Sequence, residues 1–192
     1  MTKFNKVLLV GGIIGGLFIA GVVVFFTTSR ESQELKSLAA KFPGWVLVTG
    51  KLASFDAIFP KEPKYDSQDI PVPNSDLILK QEVYTLDDGG ARYTVSAVIY
   101  PEDIPGDEGN NLHDALLGMV KSVPGALLLT ENRQSTPSGK PYIEFSIKSE
   151  DTLYRGKMLM ASRTLAQLFI ESSEKSFDAD AYRYFMAAFS TY

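Results

Sequence analysis

The only imidazole in the chain is His113, which stands beside Asp114, and no cysteine accompanies it. Histidine is the side chain that titrates near neutral pH. At this place, early in a helical pattern, it reads as a polar surface or capping residue of the first turn rather than as a base. A serine nucleophile would sit in a Gly-x-Ser-x-Gly elbow, and the chain has none. Gly139-Lys140 has the ending of a phosphate loop, but Pro141 follows it and Gln134 occupies the place of the first glycine. Without cysteine, disulfides, thiolate zinc sites, iron–sulfur clusters and cysteine nucleophiles are excluded. Hard oxygen ligands are gathered in Glu102, Asp103, Asp107 and Glu108 with Asn110 and Asn111. They lack the Asp-x-Asp-x-Asp-Gly spacing of a calcium loop, so the segment reads as solvated, with divalent-metal binding as the alternative. Asp87 and Asp88 are accounted for by a hairpin turn. These residues define no catalytic group, metal-ligand set or cofactor site, and the chain is expected not to be an enzyme.

Aromatic residues are the remaining candidates, concentrated towards the C-terminus as Tyr142, Phe145, Tyr154, Phe169, Tyr182, Tyr184, Phe185 and Phe189. Tyr182 and Tyr184 cannot both share the helical stripe of Phe185 and Phe189, so at least one is expected to face water or a partner. With Arg183 they form a candidate partner interface of the aromatic-plus-arginine kind found at binding hot spots. Nucleic acid is not the expected partner, because 19 basic residues against 23 acidic ones give a net charge of -4 and no basic stripe.

What must position these residues begins with a membrane anchor. Val7 to Phe26 carries no charged, amide or hydroxyl side chain, and it matches the roughly 20 apolar residues a helix needs to cross a bilayer. Lys3 and Lys6 precede it, and Thr27-Thr28-Ser29 follows as a possible cleavage site of a secretory signal. The length of the run and the bulky Phe25-Phe26 pair favour an uncleaved signal anchor. Basic residues flank both ends, so charge does not orient the span. A short head of residues 1–6 gives little to translocate, which favours an inner-membrane, single-pass protein with its C-terminal domain extracytoplasmic. Gly12, Gly16 and Ala20 recur every fourth residue, a smooth face for packing against another transmembrane helix.

Residues 27–44 form a juxtamembrane helix and linker: Leu35, Leu38, Ala39 and Phe42 keep helical spacing until Pro43-Gly44. Strands are expected at Trp45–Thr49 and Leu52–Phe59. Pro60, Pro63, Pro71 and Pro73 then confine the chain to a loop or a sheet edge. Ile78–Leu86 and Ala91–Tyr100 alternate around Asp87-Asp88-Gly89-Gly90, the strongest hairpin signal in the chain. Leu112, Ala115, Leu116, Met119 and Val120 predict a helix ending at Pro124-Gly125. Four strands follow, Ala126–Asn132, Tyr142–Lys148, Leu153–Ala161 and Leu165–Ser172, joined by short turns as a meander. Ser176 or Asp178 caps a closing helix with a stripe of Ala181, Phe185, Ala188, Phe189 and Tyr192. This order predicts an α+β fold with an antiparallel β-sheet flanked by helices, an α/β/α sandwich, over residues 45–192.

Phe59-Pro60-x-x-Pro63 leads into a strand, the hairpin carries Tyr93-x-Val95, and Gly139 stands before Tyr142-Ile143-Glu144-Phe145. Arg155-Gly156 precedes Lys157-Met158-Leu159-Met160, and the chain closes with Asp180-Ala181-Tyr182-Arg183-Tyr184-Phe185-x-x-x-Phe189. In these segments the chain resembles the PsbP-like family. The resemblance implies an antiparallel sheet between helical layers. The family spans photosystem assembly and oxygen-evolving subunits, a regulator of a small GTPase, and anchored bacterial proteins. It therefore implies a binding or assembly subunit working with a membrane protein or membrane-associated complex, with no cofactor. An extracytoplasmic module for a small ligand or divalent metal is the alternative.

Overall fold

The structure is a computed structural model in which residues 33–72, 76–136 and 138–192 are described. Two compact units are distinguished, Met1–Lys41 and Phe42–Tyr192. In the first, a helix (α1) occupies 33–41. Val7–Phe26, Gly12, Gly16 and Ala20 lie outside the described residues. Among those described, no helix is long and apolar enough to cross a membrane.

The second unit is built on a seven-stranded antiparallel sheet. Its strands are β3 (Lys64–Pro71), β4 (Ile78–Asp88), β5 (Ala91–Ile99), β6 (Leu127–Ser135), β7 (Pro141–Ser149), β8 (Thr152–Ala161) and β9 (Thr164–Ser172). Their spatial order is β3-β4-β5-β9-β8-β7-β6. Hairpin β4–β5 and meander β6 to β9 each pair only with sequence neighbours, and the two are joined where β5 meets β9 along Ala91↔Ser172 to Ile99↔Thr164. The hairpin turn is Gly89-Gly90, with φ of 60° and 81°. Both central positions of a two-residue I′ turn require positive φ, which glycine adopts without a Cβ clash. A smaller sheet, in the order β1-β2-β10, holds β1 (Val46–Thr49), β2 (Phe55–Phe59) and β10 (Ser190–Thr191).

Two helices complete the unit, α2 (Glu108–Ser122) and α3 (Ala179–Ala187). A helix the length of α2 is marginal alone in water. Leu112 and Leu116 hold it, fully buried on Ile143, Phe145 and Ile147 of β7 and Met158 and Met160 of β8. Each leucine contributes about 1.5–3 kcal/mol by burial. The opposite face of the sheet carries Tyr93, Val95 and Ala97 of β5 and Leu168 and Ile170 of β9. Phe55, Ala57 and Phe59 of β2 and Phe185 and Met186 of α3 cover them. One covering layer is therefore a helix and the other a small sheet with a helix, where the pattern implies helices on both sides.

The two coverings are offset, because α2 lies on β6, β7 and β8 while the second layer lies over β4, β5 and β9. Residues on the uncovered halves are correspondingly polar. On the α2 side, Gln68, Gln81 and Ser96 form a hydrogen-bonded row across β3, β4 and β5, at 2.7 and 3.0 Å. On the opposite side, β7 and β8 present Tyr142, Glu144, Arg155 and Lys157, which alternate with the apolar residues beneath α2.

Of the two alternatives for the proline-bounded segment, the sheet edge is the one observed: it contains an edge strand, β3, with Pro71 at its end. Two other expectations change. The strand expected from Leu52 starts at Phe55, because the backbone N–H groups of Lys51, Leu52 and Ala53 turn inward to Glu82. The closing helix stops at Ala187, so Tyr192 is off its stripe and 71% exposed. The chain after the helix instead pairs Ser190 and Thr191 with β2.

Candidate functional site

Asp178 caps α3 by accepting the N–H groups of Asp180 and Ala181 at 2.9 and 3.0 Å. The helix then carries Tyr182, Arg183 and Tyr184 in sequence. Residues two apart on a helix point to nearly opposite sides, and the two tyrosines separate accordingly. Tyr184 packs between Phe42 and Trp45, with ring centroids 5.7 and 5.2 Å away. Trp45 in turn meets Tyr93 edge-on at 5.7 Å. Tyr182 lies against Phe177 at 5.6 Å. Burial, with Glu144 adding to it, pushes its phenol up to about 12. Both tyrosines are half-buried on aromatic neighbours, and Arg183 between them is exposed and paired with Asp180. The three therefore do not make one flat patch.

Tyr182 leads to a polar cluster that its own stripe does not reveal. Glu144 of β7 stands directly opposite Lys157 of β8. The Lys157 ammonium is 4.0 Å from Glu144 Oε1 and 4.7 Å from the centre of the Tyr142 ring. Its side chain is 20% exposed. Burial pulls the amine below its ordinary range, and Glu144 opposes that shift. Arg155, two residues earlier on the same face, lays its guanidinium 3.9 Å over Phe177. The sequence does carry a signal for this cluster. In Tyr142-Ile143-Glu144-Phe145 and Arg155-Gly156-Lys157-Met158 the polar members alternate with core residues, which puts them together on the other face.

The remaining candidates are engaged in structural roles. His113 falls in the second turn of α2, where Nδ1 bonds the Glu131 carboxylate on β6 at 2.9 and 3.0 Å. It is half-buried and ties helix to sheet, which corrects the surface or capping assignment. Arg133 Nε also donates to Glu131, at 2.7 Å. Burial raises the pKa of Glu131, but the bonds from Arg133 and His113 outweigh it and hold the carboxyl below the usual range. In the acidic loop, Asp107 caps α2 by accepting the Asn110 N–H at 2.9 Å. Among the described residues no three His, Asp or Glu side chains converge to hold a metal ion. Asp87 pairs with Arg92 and Asp88 with Lys61 beside the hairpin turn.

Glu82 has no counterpart among the sequence candidates. It is fully buried and accepts the N–H groups of Lys51, Leu52 and Ala53 at 2.9, 3.1 and 2.7 Å. The Tyr84 hydroxyl donates to it at 3.2 Å. These bonds satisfy a buried charge entirely with neutral donors, and the β1–β2 loop is thereby attached to β4. Alternation across Ile78 to Leu86 places Glu82 beside Tyr84, but it does not identify which face the protein buries.

Comparison with known proteins adds a fold. No family model matches the chain, and no curated protein does. Solved structures do match, among them the solution structure of cyanobacterial PsbP (CyanoP) from Synechocystis sp. PCC 6803. The likeness has a TM-score of 0.52 at 12% sequence identity, and it covers 77% of this chain and 92% of that one. At that identity the similarity concerns architecture: the chain has a PsbP-like, mixed α+β fold built on antiparallel sheets.

Proposed function

We propose that the protein is a single-pass membrane subunit whose PsbP-like domain is a non-catalytic binding or assembly module on the extracytoplasmic side of the inner membrane. The observation that carries this reading is the uninterrupted apolar run Val7–Phe26 joined to an acidic globular domain. A run of that length and composition favours insertion as a spanning helix, which would confine the domain to a membrane surface, where any complex it joins would also lie. The PsbP-like fold is consistent with a binding role. So is the engagement of the one imidazole, His113, in a hydrogen-bond contact with Glu131 that fastens α2 to β6.

Fractionation tests the anchor. Full-length protein is expected to resist carbonate extraction, to require detergent for release and to retain Lys3. External protease on spheroplasts is expected to digest the domain. A mature N-terminus at Arg30 would remove the anchor, and protection by the intact membrane would reverse the topology.

A further inference from the structure

Where the β6–β7 turn approaches β10, the uncovered half of the sheet forms a cavity of about 230 Å³. Leu159 and Phe189 contribute apolar lining, and the other lining residues include hydroxyl-bearing and cationic side chains. Lys157 reaches it from β8 and Lys140 from the turn. Among the described residues Lys157 has no hydrogen-bond acceptor, since its one carboxylate neighbour, Glu144, is 4.0 Å away, beyond hydrogen-bonding distance. The side chain is 20% exposed, so the open donors of the ammonium are available to an acceptor that enters the cavity. Ser190 and Thr191 of β10 also line the cavity; as neighbours on a strand, their side chains leave it on opposite sides. Thr136 and Ser138 bond to one another at 2.9 Å at its rim, and the Thr136 hydroxyl also accepts the Lys140 N–H at 3.0 Å.

We propose that this cavity binds a small ligand through an oxyanion head, a carboxylate or phosphate group, seated between Lys157 and Lys140 with a lining hydroxyl of β10 donating to it. Two lysines and Glu144 leave one net positive charge, which favours a monoanion and disfavours a metal cation. The cavity is below the roughly 300–1,000 Å³ of pockets that enclose drug-sized molecules, so the enclosed part of the ligand is only a few atoms beyond its head. The site does not depend on the anchor, and either proposal can fail while the other stands.

The test uses purified full-length protein in non-ionic detergent, with inorganic phosphate and acetate titrated separately at constant ionic strength. The melting temperature is followed across each series to obtain a dissociation constant. At least one anion is expected to stabilise the protein saturably, and the stronger of the two identifies the head group. Lys157→Met is expected to abolish the saturable response, whereas Lys157→Arg keeps it and shows that the fold survives at this position. Lys140→Met, at an exposed rim, is expected to weaken binding, and Glu144→Gln to tighten it, each by roughly threefold to tenfold for one partly screened charge. Phosphate also stabilises proteins non-specifically through exclusion from their surface. A response equal in wild type and Lys157→Met would therefore overturn the proposal, as would the absence of a saturable response to either anion.

Discussion

Glu82 is the side chain on which the attachment of the β1–β2 loop most depends, because one carboxylate accepts three buried or half-buried backbone donors and a phenol. Glu82→Gln preserves its shape but turns one acceptor into a donor that faces another N–H. Leaving buried donors unsatisfied costs about 1–3 kcal/mol each. The substitution is therefore expected to lower stability by about 2–4 kcal/mol in urea denaturation, with the slope of the transition unchanged. A loss within the error of the measurement would mean that the loop is held by packing alone. The buried phenols give a second readout. Burial, then the nearby Asp178 and Asp88, push Tyr93 up to about 12, and Tyr182 reaches about 12 as well. Both start from an ordinary value of 10.0. The native state thus holds these protons after the unfolded chain has lost them. Their contribution to stability is complete below pH 10 and declines as pH rises from 10 towards 12. Phenolate absorbance of the native protein should show a fraction of tyrosines titrating late, and that fraction should shrink in Tyr93→Phe and Tyr182→Phe. A single titration near 10, identical in all three proteins, would contradict the burial of both rings.

At the scale of elements, the close approach of β8 and β9 depends on Gly156. A Cβ built there would lie 2.3 Å from the Leu168 carbonyl oxygen and 2.5 Å from Phe169 Cβ. Both neighbours belong to a paired central strand and cannot move independently. Gly156→Ala is expected to destabilise by about 1–3 kcal/mol or more, as overpacking does. Gly118→Ala, on the exposed side of α2 with nothing within 4 Å, should instead stabilise by up to about 1 kcal/mol through helix propensity. Equal effects on the denaturant midpoint would mean that the strand contact is absent. Elements whose sequence pattern and burial agree could be read directly: the Gly89-Gly90 hairpin, the Leu112–Leu116 face of α2, and the meander from Leu127 to Ser172. Others could not, for physical reasons. β3 is an edge strand with mostly exposed residues, so no hydrophobic alternation marks it. Leu52 and Ala53 have strand-like side chains, but their backbone is taken by Glu82, a partner distant in sequence. The α3 stripe continues on paper to Tyr192, yet the chain leaves the helix because β2 offers a free edge to Ser190 and Thr191. The cluster of Tyr142, Glu144 and Lys157 was implicit in strand alternation. Its meaning required knowing that the layer over β5 and β9 leaves β7 and β8 only partly covered.

For the whole molecule, the central claim is that anchor and domain act together on a membrane partner. Two tethered contacts gain from effective concentration, so neither needs to be strong alone. Gly12→Leu/Gly16→Leu keeps the span apolar but fills the small-residue face through which a neighbouring helix would approach. Arg183→Glu reverses an exposed charge on α3 without removing any of its aromatic contacts. The most direct measurement is quantitative affinity capture of full-length protein from mildly solubilised membranes, comparing wild type, each variant and the combination. A defined set of membrane proteins is expected to copurify with wild type in reproducible stoichiometry, to fall in each variant and to be lost in the combination, with insertion unchanged. If no partner copurifies stoichiometrically with wild type, or if the combined variant captures the same proteins in the same yield, the membrane-subunit account is wrong.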